Sequence, residues 1–145
     1  MATLLLVDDD NLIRGTLHEL LADSHLCHTA DRAEQALAYL EFEEYDVVIT
    51  DIAMPGLSGR EVLKQVQEKR PTTPVIVISG ESNEEEARSL MEMGAFAYIT
   101  KPFHLDEVES AVVRAIARHH ELEANARNEA DSGKEKTPDP NAVQD

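Results

Sequence analysis

Tyr45-Asp46-Val47-Val48-Ile49-Thr50-Asp51-Ile52-Ala53-Met54-Pro55-Gly56-Leu57-Ser58-Gly59 is the stretch on which the reading of the fold turns. Val47, Val48 and Ile49 make a short apolar, β-branched run of the kind that fills a strand buried on both faces of a parallel sheet. The run ends on Asp51, and Pro55 and Gly56 force a loop at once. A carboxylate at the carboxyl end of such a strand lies where open α/β sheets place their ligand crevice. A lone Asp there is also explained as a simple strand terminator, so the other strands decide.

Working outward, the same grammar recurs. Leu4 to Val7 reads as a buried strand that ends in Asp8, Asp9 and Asp10. A helix from about Asn11 to Ala22 follows, with Ile13, Leu17, Leu20 and Leu21 on one face. Leu26 to Ala30 is a weaker strand, expected near a sheet edge. Asp31 is expected to open the next helix, with Glu34 at capping-box spacing and Ala33, Ala36, Leu37 and Leu40 as its apolar stripe. Ser58 and Glu61 repeat that spacing ahead of Val62, Leu63 and Val66. Val75 to Ile78 is a strand ending in Ser79 and Gly80. Asn83 or Ser82 caps a helix whose first turn carries Glu84, Glu85 and Glu86, a charge run explained by the helix dipole alone. Gly94 suits the left-handed stop after it. Phe96 to Thr100 is a fifth strand, ending in Lys101-Pro102, and a last helix runs from near Leu105 to well past Arg118. Five strands alternating with helices predict an α/β protein, a doubly wound parallel sheet in a three-layer sandwich.

Composition bounds the function. The chain has 145 residues, 42% of them apolar, enough for one domain with a proper core. With 13 basic against 29 acidic residues the formal charge is −16, which disfavours nucleic acid and anionic membrane surfaces and favours soluble, cation-binding or basic-partner chemistry. Cys27 is the single cysteine, so no internal disulfide forms, and a cytoplasmic setting is expected. No stretch approaches the roughly 20 apolar residues of a membrane span. The six histidines form no ligand-like cluster. Leu105, Val108, Val112, Ala115, His119, Leu122 and Ala126 step alternately by three and four. Ala and His make a poor coiled-coil seam, so a single amphipathic helix is the reading. Ala130 to Asp145, rich in charged residues, Pro, Ser and Asn, is expected to be a disordered tail.

Parallel strands bring their carboxyl ends to one edge, so Asp8, Asp9, Asp51, Ser79 and Lys101 are expected to share a crevice. Singly, each has a structural explanation; together they do not. Val7-Asp8-Asp9-Asp10, Ile49-Thr50-Asp51 with Met54-Pro55-Gly56, Ile78-Ser79-Gly80 and Tyr98-Ile99-Thr100-Lys101-Pro102-Phe103 resemble the receiver domain of bacterial two-component response regulators. The resemblance covers about residues 3 to 120. It implies the flavodoxin-like strand order 2-1-3-4-5, a receiver domain over 1–122, and a helix extension with an acidic tail or linker over 123–145.

By that resemblance Asp51 is the phosphoacceptor. Two carboxylates about 4 Å apart repel by roughly 4 kcal/mol at an effective dielectric of 20, so an acidic cup of this kind binds a divalent cation or holds a proton. Mg2+ or Mn2+ would be taken directly by Asp9 and Asp51, through water by Asp8, and by the Ala53 backbone carbonyl. Lys101 and the Ser79 hydroxyl would meet phosphoryl oxygens, and Gly80 would leave them room. A cis Lys101-Pro102 bond would aim the lysine inward. Tyr98 stands where the family has its aromatic switch, moving with Ser79 from exposed to buried. Ala53 and Glu81 occupy positions that the family varies to tune dephosphorylation. The implied partners are a sensor histidine kinase or phosphotransfer protein, and an output domain or protein that meets the fourth helix and fifth strand. The implied chemistry is self-phosphorylation and autodephosphorylation of a switch more than enzymatic turnover. Two other readings compete. One is a haloacid-dehalogenase-type phosphatase using Asp8 with Asp10, against which Leu12 replaces the expected Thr or Val. The other is an interaction module that is never phosphorylated.

Overall fold

The computed structural model describes residues 1–81 and 83–136, with side chains through residue 129. Five strands form one parallel sheet: β1 (Thr3–Val7), β2 (Leu26–Ala30), β3 (Val47–Asp51), β4 (Val75–Ser79) and β5 (Ala97–Thr100). Their order is β2-β1-β3-β4-β5, the flavodoxin-like order expected. The helices are α1 (Asn11–Leu21), α2 (Ala33–Phe42), α3 (Gly59–Lys69), α4 (Glu84–Glu92) and α5 (Leu105–Lys136). Among the described residues no helix is long and apolar enough to cross a membrane.

Alternation along the strands builds a core on each face of the sheet. Leu5, Val7, Val48, Val75 and Val77 pack against Ala36 and Leu40 of α2, Val62, Leu63 and Val66 of α3 and Leu90 of α4. Leu4, Leu6, Val47, Ile49, Ile76 and Ile78 face the other way, against Leu17 and Leu21 of α1 and Val108, Val112 and Ala115 of α5. The three central strands are buried on both sides, which is why they read as unbroken apolar runs. Cys27 packs at the edge of the second core, and burial pushes its thiol up from the ordinary value.

Two helix starts differ from expectation. The N-cap of α2 is Arg32, without a side-chain cap, and the Asp31 backbone N–H is bonded by Gln35 instead. Glu34, expected to close a capping box, turns its carboxylate to the β3–α3 loop, 3.4 Å from Leu57 N. At α3, Ser58 caps as expected, but Glu61 accepts from Gln65 of the next turn and closes no box. Asn83 is the cap of α4, its side chain accepting from the N–H groups of Glu85 and Glu86; Ser82 lies outside the described residues. Gly94 takes the expected left-handed φ of 105°.

The backbone of α5 stays helical to Lys136, beyond the tail boundary expected at Ala130. The rest of that tail, 137–145, lies outside the described residues. On its way out α5 is tied to the sheet floor. His119 Nε2 stands 3.0 Å from Asp46 Oδ1, and His119 Nδ1 lies 2.8 Å from the Thr72 carbonyl.

Candidate phosphoryl and metal site

Register brings the chemistry together. Val7 pairs with Thr50, Asp51 with Ile78 and Ser79 with Thr100, so β1, β3, β4 and β5 end within a step of one another. Backbone bonds continue past the strand ends: Ile52 N–H donates to Ile78 O at 3.0 Å and Lys101 N–H to Ser79 O at 2.8 Å. The Lys101-Pro102 peptide bond is cis.

Asp8 and Asp51 are nearly inaccessible, at 1% and 4% exposure, whereas Asp9 is exposed at the rim. Carboxylate oxygens of Asp8, Asp9 and Asp51 all lie within 4.8 Å of one another. The Lys101 ammonium bridges the two buried acids, 3.2 Å from Asp8 Oδ2 and 3.3 Å from Asp51 Oδ2. Asp51 Oδ1 accepts from Ile52 N–H at 2.9 Å, and Asp8 Oδ1 from Asp10 N–H at 2.9 Å. Asp8 Oδ2 has no hydrogen bond despite the nearby ammonium. A buried carboxylate oxygen paired with an ammonium but without an aligned hydrogen bond, in a set of hard oxygens, suits a divalent cation.

The electrostatics follow from this crowding. Burial, then the Asp8 carboxylate, pushes the Asp51 carboxyl up to about 6, against the pull of Lys101 and the Ile52 N–H. Burial likewise raises Asp8, with the Asp10 N–H and Lys101 opposing. For Lys101, burial acts to lower the ammonium, but the two carboxylates outweigh it and hold it above its ordinary value.

Asp10 stands apart. It caps α1, its Oδ1 accepting from Leu12 N–H at 2.9 Å and Ile13 N–H at 3.3 Å. Asp10 lies outside the cluster that Asp8 forms with Asp9 and Asp51, and its Oδ1 is taken up by a helix end, which speaks against the Asp8/Asp10 pair of the phosphatase reading. Ala53 follows β3 in the exposed loop. A Cβ placed on the exposed Gly80 would meet nothing within 4 Å, so the chain is open to solvent at that residue.

Ser79 and Tyr98 do not point freely into that space. The Ser79 hydroxyl donates to Glu86 Oε1 at 2.7 Å, and the Tyr98 hydroxyl reaches the same oxygen at 2.9 Å and Glu81 O at 2.7 Å. Tyr98 is half-buried with its hydroxyl already bonded, where an exposed resting side chain was expected. Sequence reasoning missed Glu86, reading it as helix-dipole charge, and also Arg14, whose guanidinium donates to the Asp8 carbonyl at 2.7 Å. Nothing in the sequence sets Glu86 apart from Glu84 and Glu85 in the same acidic first turn of α4.

A parallel α/β fold with an acidic, lysine-bridged cup at its carboxyl edge defines a class of protein built to handle a cation and an anionic group together. A family model for the response regulator receiver domain matches residues 4–113, and the chain belongs to that family. It is 40% identical over 123 residues to the DNA-binding transcriptional regulator NtrC of Salmonella typhimurium, a match covering 84% of this chain and 26% of that protein. The crystal structure of a response regulator receiver domain protein from Clostridium thermocellum superposes with a TM-score of 0.78 at 33% identity, covering 84% of this chain and 99% of that one. That of NtrX from Brucella abortus gives 0.81 at 33% identity, covering 86% of this chain and 29% of that one. The chain thus spans about a quarter of the length of the curated NtrC relatives it matches, 26%. Its role is that of a phosphoacceptor in two-component signal transduction. Receiver domains of this kind bind Mg2+ at their Asp cluster and work with histidine kinases and output domains.

Proposed function

We propose that Asp51 is the residue that takes the phosphoryl group, donated by a phosphohistidine of a sensor histidine kinase or phosphotransfer protein in the cytoplasm. One observation carries the assignment: of the two buried carboxylates of the cup, Asp51 is the one that ends β3, the central strand of the sheet, with Lys101 3.3 Å away. With its carboxyl near 6, Asp51 is mostly ionised at neutral pH and available as a nucleophile. A carboxylate oxygen bonds to phosphorus as the phosphorus–nitrogen bond to the donor imidazole breaks. Transfer of this type needs positioning and charge neutralisation more than covalent help from the protein.

Asp9 and Asp51 would hold Mg2+ or Mn2+ directly, Asp8 through water, with the Ala53 carbonyl as a further oxygen. The cation supplies positive charge that lets an acidic cup accept an anionic group. Lys101, a compact charge on a flexible stem, shifts from the carboxylates to a phosphoryl oxygen. Ser79 donates to another oxygen beside Gly80. Its movement, followed by Tyr98, remodels the surface of α4 and β5 for an output domain or protein, a population shift driven by phosphorylation. Ala53 and Glu81, at the mouth, tune how fast water removes the group.

Incubation with acetyl phosphate and Mg2+ tests the assignment. The chain gains acid-labile phosphate; Asp51→Asn abolishes the gain and chelation prevents it. Retention of full labelling by Asp51→Asn would overturn the reading.

A further inference from the structure

Two hydroxyl groups at the carboxyl edge share one acceptor. Ser79 Oγ and Tyr98 Oη both bond to Oε1 of Glu86, at 2.7 and 2.9 Å. Around them, Glu81 N–H donates to Ser79 Oγ at 3.1 Å, and the Glu81 carbonyl lies 2.7 Å from Tyr98 Oη and 3.3 Å from Ser79 Oγ. Each hydroxyl has a single proton to give, so that of Tyr98 is shared between the Glu81 carbonyl, its shorter contact, and the Glu86 carboxylate. That of Ser79 goes by the shorter contact to an ionic acceptor, which is among the stronger hydrogen bonds a neutral donor makes. The Glu81 N–H fills the acceptor side of the same hydroxyl. The one proton of Ser79 is therefore engaged on the α4 side of the pocket and is not offered to an acceptor beside Asp51.

We propose that Glu86 is the positioning residue that sets the resting state of this receiver: its carboxylate holds the Ser79 proton away from the phosphoryl pocket and ties Tyr98 to the first turn of α4. The inference rests on Asp51 being the phosphoacceptor, and adds what must be exchanged for the switch to move. An arriving phosphoryl oxygen has to displace Glu86 as the acceptor of the Ser79 proton. That displacement releases one of the two hydroxyls that fix Glu86, and with it the contact joining β4, β5 and α4. Glu84 and Glu85 share the first turn of α4 but are exposed, and neither makes a side-chain bond to Ser79 or Tyr98. Removing the Glu86 carboxylate should thus make phosphoryl binding easier.

The test is a titration of the full chain with beryllofluoride, a phosphoryl mimic, in saturating Mg2+. Glu86→Ala should bind about tenfold more tightly than the wild type, and Glu86→Gln, with a neutral acceptor of the same length, should fall between them. In a Ser79→Ala background the gain should vanish. In the absence of beryllofluoride, the Tyr98 ring resonances of Glu86→Ala should shift toward their bound positions. Unchanged or weaker binding by Glu86→Ala, at wild-type thermal stability, overturns the assignment, as does a gain that persists without Ser79. Binding that survives Asp51→Asn, or none by the wild type, contradicts the phosphoacceptor reading itself and removes the Glu86 assignment with it.

Discussion

At the scale of the residue, the instructive group is Asp51, because its chemistry is set by what its neighbours cost it. Burial and Asp8 lift its carboxyl from 3.8 to about 6, so in the absence of metal the folded chain binds a proton that the unfolded chain has lost. The folded value lies above the unfolded one. The corresponding stability is therefore fully present below about 4 and is lost as pH rises through about 6. The difference is on the order of 2–3 kcal/mol, with the transition shared between Asp51 and the similarly raised Asp8. Metal-free wild type is predicted to melt at lower temperature at pH 7.5 than at pH 5. Asp51→Asn, which cannot ionise, should be the more stable chain at pH 7.5, with the gap closing toward pH 5. Thermal melts in chelator check this; parallel profiles for the two chains would contradict it. On the proposed function, a cation or a phosphoryl group at Asp51 would relieve this local instability.

Elements place that residue. The loop leaving β3 must return at once into α3, and it does so with no room to spare: a Cβ on Gly59 would stand 2.0 Å from the Asp51 carbonyl oxygen. Gly59 N–H donates to Ile52 O at 2.9 Å, so the α3 N-terminus is seated directly on the backbone that carries the acid. Gly59→Ala is predicted to destabilise the fold by about 3 kcal/mol or more, since backbone meets backbone and no side chain can yield. Urea unfolding measures it, and a loss under about 1 kcal/mol would show that this seat is not held as described. Element starts were also where local pattern misled. The Asp31–Glu34 spacing looks like a capping box, yet Glu34 is drawn to Leu57 in a different loop and Arg32 becomes the cap. A side chain with a choice of partners cannot be assigned from its own neighbours in sequence.

For the whole molecule, the same distinction separates what was legible from what was not. Val47, Val48 and Ile49, and their counterparts in β1 and β4, announce doubly covered strands because burial on both faces leaves only apolar residues there. Parallel pairing then brings Asp8, Asp51, Ser79 and Lys101 to one edge, so the site follows from topology once the strands are recognised. Glu86 was not legible: its place in an acidic first turn has a sufficient local explanation, and its bonds to β4 and β5 exist only after folding. On the proposed assignment, Asp51 alone among the acids of the converged cup bears the phosphoryl group. Borohydride reduction of the chain phosphorylated by acetyl phosphate and Mg2+, followed by peptide mass mapping, tests it most directly, because the reductant converts an aspartyl phosphate to homoserine. Homoserine at position 51 alone is the predicted result; homoserine at position 8 or 9, with Asp51 unchanged, would contradict it.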